Sequence, residues 1–305
     1  MSSVSFIIPV FNKSNFLRYV LKSLEKQKGN FKKEYIFIND GSTDKSLNIL
    51  KTYTKNWKNC SIIDQNNKGS ANATNVGIRK AQNKYIKFLD ADDVLLQNST
   101  LTLLKILEKN RDAVLVYGLQ RKIKDISKVK LEGKISSSYK IINKPIDFAM
   151  RNSMFNPSQF LVRTDICKKV GGCDERIKYS QEYSLTLRLS LKGKFLKLDD
   201  FVTVLPFVAP GQISENKTEQ IYRVSKALEL FIKDNKLSNI TLLKAQRRLT
   251  GRAWRFARRK LGLSYFSKWF YYYLRGLVGI NSDIIKTCEE ANKIYKQYYR
   301  FAFIY

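Results

Sequence analysis

Histidine is absent from this 305-residue chain. That removes a His-based triad, a His-ligated zinc site and a histidine general base from consideration. Any catalytic proton transfer then falls to a carboxylate, lysine, tyrosine or cysteine. The four cysteines, Cys60, Cys167, Cys173 and Cys288, form no C-x-x-C pair and no regular framework, so no disulfide scaffold is expected. No apolar run reaches the eighteen or so residues that span a bilayer. The opening residues read as a short buried strand and not as an export signal, and a reduced, cytoplasmic compartment is the expectation.

Acidic residues are also scarce. Lysine and arginine number 56 against 26 aspartates and glutamates, a net charge of +30. Such an excess points to a polyanion, either nucleic acid or an anionic membrane face. Hydrophobic residues make up 44% of the chain, enough to build a core.

The first hundred residues alternate strand and helix. Residues 4–8 are strand-like, and Leu17, Val20, Leu21 and Leu24 follow at helical spacing. Residues 35–38 form a second strand that breaks at Asp40-Gly-Ser-Thr-Asp44, where Ser42 or Thr43 is the expected cap of a helix carrying Leu47 and Leu50. Residues 61–63 are a weaker third strand, followed by a loop at 66–69 and a helix to about residue 81. Residues 85–89 are the fourth. Four βα steps predict an α/β fold, a parallel sheet with helices on both faces. Residues 117–214 are less regular, and beyond about 215 the pattern is helical.

The fourth strand runs into Asp90-Ala-Asp-Asp93, three carboxylates within four residues. Crowded like charges repel and lose solvation together, a cost that a bound cation relieves. Hard divalent ions prefer such oxygen ligands. The alternative is a solvated acidic turn. In open parallel sheets ligands bind beyond the carboxyl ends of the strands, and three polar features fall there: the loop after Pro9, Asp40-Gly-Ser42 and Asp90-Ala-Asp92.

These segments together resemble the family 2 glycosyltransferases. Ser5-Phe-Ile-Ile-Pro-Val-Phe-Asn12 is similar to that family's opening strand and loop, and Ile38-Asn-Asp-Gly-Ser-Thr-Asp44 to its second-strand signature. Residues 67–78 resemble the following helix, and Phe88-Leu-Asp-Ala-Asp-Asp93 the DxD motif. Val170-Gly-Gly-Cys-Asp-Glu175 and residues 181–188 resemble the acceptor-side segments. The resemblance covers roughly residues 1–215 and implies the GT-A (Rossmann-like) fold, a mostly parallel sheet flanked by helices; the helical pattern beyond it predicts a C-terminal helical extension over 216–305. It implies an inverting transferase that takes its sugar from a nucleotide-diphospho-sugar. Pro9 and Phe11 would line the base pocket, and Asp40 would accept a hydrogen bond from the base. Gly69, Ala73 and Ala91 would border the nucleotide, with Asp90 at the ribose. Asp92 would hold Mg²⁺ or Mn²⁺ against the diphosphate, and Glu182 would be the general base. The other reading of Glu182 is an acid favoured by a helix N-terminus.

Three positions depart from the family pattern: Thr74 where arginine is usual, Gln181 beside the base, and Ala209 where a histidine commonly ligates metal. They leave open a second reading, a catalytically impaired nucleotide-sugar-binding or scaffolding protein at the membrane.

Residues 244–260 carry eight cations and no acid, with Leu242, Ala245, Leu249, Ala253, Phe256 and Ala257 on the opposite helical face. Aromatics follow through 265–273. An anionic membrane surface meeting 244–275 is one expected partner; the other reading is a helical cap with its basic face solvated. A glycan or lipid-linked glycan is the expected acceptor. Nucleic acid is disfavoured because no recognised binding module is present.

Overall fold

The computed structural model describes the chain except residues 152, 178–180, 208–216, 264, 280–282 and 303–305, and except the side chains of 181, 217, 218 and 297–302. Strand β1 (Ser3–Val10) shows why the expected alternation holds. Phe6, Ile7 and Ile8 are all fully buried. Period-two geometry sends Val4, Phe6, Ile8 and Val10 into one apolar cluster and Ile7 into the other. A strand covered on both faces must be apolar throughout.

Helix α1 (Ser14–Glu25) buries Leu17, Val20, Leu21 and Leu24, about 1.5–3 kcal/mol apiece. Then come β2 (Lys32–Asp40), α2 (Ser46–Tyr53), β3 (Cys60–Gln65), α3 (Ser70–Lys80) and β4 (Tyr85–Phe88). The four strands pair in parallel in the order β3-β2-β1-β4. Register sets Pro9 beside Ile38 and Asp40 beside Gln65, and Leu89 donates its N–H to the Ile7 carbonyl. The expected polar features therefore end level at one sheet edge.

The helix after β2 begins later than expected, and no side chain caps it. Ser42 instead accepts from the Asn12 N–H at 3.1 Å, and Asp44 accepts from the Ser46 N–H at 2.9 Å. Ser42 and Thr43 are thus spent on the neighbouring loop, while Asp44 takes the first N–H of α2.

From β5 (Val94–Leu95) and α4 (Ser99–Lys109) onward the sheet becomes mixed. Strands β6 (Ala113–Ile123), β7 (Tyr139–Ile142), β8 (Phe160–Arg163) and β9 (Lys194–Pro206) complete the order β3-β2-β1-β4-β8-β6-β9-β5, with β7 on β9. β8 is antiparallel to both β4 and β6, while β6 and β9 are parallel. These strands partner residues as far apart as Val94 and Val204, 110 positions, and no local pattern announces such pairing. Between them lie α5 (Ile146–Ala149), α6 (Thr164–Lys169) and α7 (Gln181–Leu189).

The chain forms two compact units, residues 1–145 with 154–212, and residues 146–153 with 213–305. The second contains α5, α8 (Lys217–Asp234), α9 (Asn239–Leu261), α10 (Lys268–Val278) and α11 (Ile284–Ala302). Its core packs Trp254, Phe256, Trp269, Ile294 and Tyr295. Ser238 and Ser267 cap α9 and α10, and Gly262 and Gly279 close them in the left-handed conformation. Among the described residues no helix is long and apolar enough to cross a membrane.

Candidate functional site

The loop after β1 is fixed by its own polar atoms. Asn12 adopts a positive φ of 51°, tolerable for asparagine, and its Oδ1 accepts from the Thr43 N–H at 2.8 Å. Lys13 donates its N–H to Ser46 Oγ at 2.9 Å, and Ser14 donates to Asp44 at 3.0 Å. Phe11 stands 45% exposed.

Asp40 is buried at the end of β2. It accepts from the N–H groups of Lys68 and Gly69, each at 2.9 Å, and from Gln65 Nε2 at 2.8 Å. Its carboxylate thus anchors the loop leading to α3, where Gly69 takes the positive φ of 88° that turns the chain. Ala73 does not join the polar group. It is fully buried in the cluster containing Ile7 and Ile38, because its face of α3 packs on the sheet.

Beyond β4, Asp90 and Asp92 are half-buried while Ala91 and Asp93 are buried. Asp90 donates its N–H to Ser158 Oγ at 2.9 Å. Behind them stands Lys87, fully buried, donating Nζ to the carbonyls of Phe88 and Ser158. In front, Lys13 Nζ lies 2.6 Å from Asp92 Oδ2, the two side chains being 17% and 14% exposed. Burial pushes the Asp90 carboxyl up to about 7, helped by the nearby Asp92 and Glu182 charges and opposed by Lys13 and Lys87. Asp93 is raised by burial and by Asp90 and Asp92. Burial brings Lys87 down to about 7, with Asp93 and Asp90 pulling it back up.

Glu182 lies in the first turn of α7, the position the macrodipole favours. The helix is held from below: Arg188 meets Asp174 at 3.0 Å and donates to the Gly172 carbonyl at 2.9 Å. Asp174 donates its N–H to Ser184 Oγ at 2.9 Å. Asn75 of α3 in turn accepts from Cys173 N–H at 2.8 Å and donates to Glu175 at 2.7 Å. One recess is lined by Pro9, Thr74, Phe88, Asp90, Pro157 and Glu182. Burial raises the Glu182 carboxyl pKa, which moves it towards the range of a working base. Pro9, Asp90 and Glu182, read from segments far apart in the chain, are therefore neighbours. Lys13, Lys87 and Ser158 went unremarked in the sequence. Lys87 did leave a signal, a lone cation within an apolar strand; Ser158 left none.

The chain belongs to glycosyl transferase family 2. The family matches residues 5–171, over half of the chain, and that segment is a glycosyltransferase domain. Among relatives, the uncharacterized glycosyltransferase RT0329 of Rickettsia typhi is 28% identical over 236 residues, covering 75% of this chain and 71% of that protein. The minor teichoic acid biosynthesis protein GgaA of Bacillus subtilis is 38% identical over 100 residues, 31% of this chain and 22% of its own length. The fold is that of S. aureus TarS 1–349, solved with UDP-GlcNAc: TM-score 0.69 at 15% identity, covering 98% of this chain and 92% of that one. The mannosyltransferase PcManGT of Pyrobaculum calidifontis, solved with GDP-Man and Mn²⁺, gives 0.57 at 12% identity, covering 95% and 86%. This is the GT-A architecture with C-terminal helices.

Among the described residues no group of three or more aspartate, glutamate or cysteine side chains is arranged around a single metal position. Ala209 lies outside the described residues, as does the side chain of Gln181. The chemistry of these oxygen donors would nonetheless suit a hard divalent cation. Asp90, Asp92, Asp93 and Glu182 gather about two ammonium groups, Lys13 and Lys87, so an ionised cluster is two charges short of neutral. A divalent ion would offset that excess negative charge, and Mg²⁺ keeps several waters beside one or two protein ligands.

In the second unit, α9 buries Ala245, Leu249, Ala253, Phe256 and Ala257 as its periodicity predicts. Half of its cations are engaged locally. Lys244 pairs with Asp147 at 2.7 Å, Arg247 donates to the Leu277 carbonyl at 2.8 Å, and Arg248 and Arg252 both donate to the Arg151 carbonyl. Arg255, Arg258, Arg259 and Lys260 remain exposed. Exposed apolar side chains are concentrated on α10 and the loop before it, at Tyr265, Phe266, Tyr271, Leu274, Leu277 and Val278, while Phe148, Ile221 and Ile240 are exposed singly on other elements.

Proposed function

We propose that this chain transfers a sugar from a nucleotide-diphospho-sugar to a hydroxyl of a glycan or lipid-linked glycan, with inversion at the anomeric carbon. The observation that carries this reading is the shared recess of Pro9, Asp90 and Glu182. It sets a donor-side carboxylate and a candidate base around one space at the strand ends, where open sheets bind ligands. The nucleotide complex of TarS and the teichoic acid role in GgaA's name support a nucleotide-sugar donor and a glycan acceptor.

Phe11 and Pro9 form the wall for the base, beside the loop that Asp40 fixes. Asp92 is the residue that would hold Mg²⁺ or Mn²⁺ at the diphosphate, with Asp90 at the ribose. Such an ion, when bound, offsets the negative charge growing on the leaving diphosphate. Glu182 takes the proton from the acceptor hydroxyl as its oxygen bonds to the anomeric carbon. The carbon–oxygen bond to the diphosphate breaks, and the leaving group departs with the electron pair. Burial of Glu182 makes it a better proton acceptor near neutral pH.

The test is turnover across a panel of nucleotide sugars with Mn²⁺. Glu182→Gln should keep nucleotide affinity and lose transfer by about 10²–10⁴-fold, while Asp92→Ala should lose both transfer and donor hydrolysis. Unchanged turnover in either variant rejects that residue's role. The second reading, a nucleotide-sugar-binding or scaffolding protein, is favoured by Thr74 lining the recess where the family pattern has arginine. It gains if the panel gives binding without turnover.

We further infer a peripheral position on the cytoplasmic face of an anionic membrane. The exposed aromatics about α10 and the exposed cations at the end of α9 support it.

A further inference from the structure

Lys13 occupies the solvent side of the acidic cluster, and its place there is built. Its backbone cannot drift, since its N–H is held by Ser46 and its carbonyl accepts from Phe16 and Leu17 at 2.9 and 3.1 Å. Asn12 and Ser14 on either side are tied to 42–44. From that fixed origin the side chain reaches Asp92 at 2.6 Å, with both groups mostly withdrawn from water. The ammonium also lies 5.9 Å from the Phe16 ring centroid, at cation–π distance.

Two cations act on Asp90, and they differ in access. Lys87 is sealed behind the strand and spends its protons on the Phe88 and Ser158 carbonyls. Lys13 alone of the pair stands where a ligand arrives. A divalent ion bound to Asp92 would sit about 2.1 Å from a carboxylate oxygen, within a few ångströms of that ammonium. Two cations so close repel strongly in a half-buried site. Asp92 cannot hold both without the lysine moving.

We propose that Lys13 is a placeholder cation: its ammonium fills the cation position at Asp92 when no donor is bound, and swings onto the diphosphate when donor and divalent ion enter together. The inference rests on the donor reading of this recess. Its consequence is order. The metal is excluded from the donor-free protein, and the diphosphate, by offering the ammonium a second anion, opens Asp92 to the metal. After the swing Lys13 adds a fixed positive charge where the leaving group becomes more negative. The chain thereby supplies a cation at the nucleotide although Thr74 brings none.

The experiment is Mn²⁺ binding to the full chain, read by the electron paramagnetic resonance of free Mn²⁺, for wild type, Lys13→Met and Lys13→Arg. Without nucleotide, Lys13→Met should bind Mn²⁺ at least tenfold more tightly than wild type, and Lys13→Arg should stay near wild type. Equal Mn²⁺ affinity in wild type and Lys13→Met overturns the placeholder. In the second arm UDP, with GDP as the alternative probe, is titrated in the presence of a metal chelator. Lys13→Met should then bind several-fold more weakly than wild type; equal affinity overturns the swing to the diphosphate. If wild type binds neither nucleotide with or without Mn²⁺, the donor reading and the swing fall together, while the first arm still decides whether Lys13 guards Asp92. Circular dichroism and thermal melting of the three proteins separate these outcomes from a failure to fold.

Discussion

A lysine sealed under three aspartates is costly, and Lys87 shows how the cost is shared. Its amine is fully buried and its pKa is brought down to about 7. In the unfolded chain the same amine titrates near 10.4. Between these values the unfolded chain binds a proton that the folded chain does not, so unfolding takes up protons and stability rises with pH. Below about 7 both states are charged and the burial penalty is complete. For an isolated group the slope is about 1.4 kcal/mol per pH unit, and the neighbouring carboxylates reduce it. Urea unfolding at pH 7 and pH 9 should show wild type gaining stability relative to Lys87→Met across that interval. A parallel pH dependence in the two proteins would refute the assignment. The lysine's geometric role is separate: by holding the Ser158 carbonyl it steadies the hydroxyl that receives the Asp90 N–H.

Element by element, the site depends on how α7 is seated, because Glu182 rides on its first turn. Gly172 is the point of greatest constraint. Its φ is +69°, and a Cβ there would come within 2.4 Å of Asn75 Oδ1, the atom that receives the Cys173 N–H. Gly172→Ala therefore combines a left-handed alanine, roughly 1–2 kcal/mol, with displacement of the Asn75 clamp. We expect a loss of about 2 kcal/mol or more in denaturant unfolding, and a larger fall in transfer rate than in nucleotide affinity, since the donor loops lie on other elements. Gly171→Ala is the control: it shares the positive φ of +79° but meets nothing within 4 Å, so it should cost the backbone strain alone. If the two variants lose the same stability, the clamp contributes nothing.

For the whole molecule, the strongly basic balance resolves into places. Four of the eight cations of 244–260 are consumed by contacts with Asp147, Arg151 and the end of α10, so they brace the second unit. Those left at the end of α9 accompany an apolar face in which Tyr271, Leu274 and Val278 recur at helical spacing. Vesicles containing phosphatidylglycerol should sediment the protein, and neutral phosphatidylcholine vesicles should not. Tyr271→Ser with Leu274→Ser should lower the bound fraction several-fold with an unchanged melting temperature. Binding that ignores both the lipid charge and these substitutions would leave the basic excess without a membrane role.

Residue order by itself determined the parallel half of the sheet. Period-two and period-3.6 burial are local, so β1 to β4 and α1 could be read from Val4 to Leu89 with strand boundaries shifted by up to three residues. The same locality put Pro9, Asp40 and Asp90 at one edge, because parallel strands joined by helices all end on the same side. Glu182 could be nominated by resemblance, yet its place in a recess with Asp90 depends on α7 being tied to a turn that Asn75 holds from a hundred residues away. The antiparallel strands, the ion pair of Lys13 with Asp92 and the support of Ser158 were likewise decided in three dimensions. Charges and pairing partners separated by 70 to 80 positions meet only when the sheet closes. The desolvation that shifts their proton affinities exists only in that folded state.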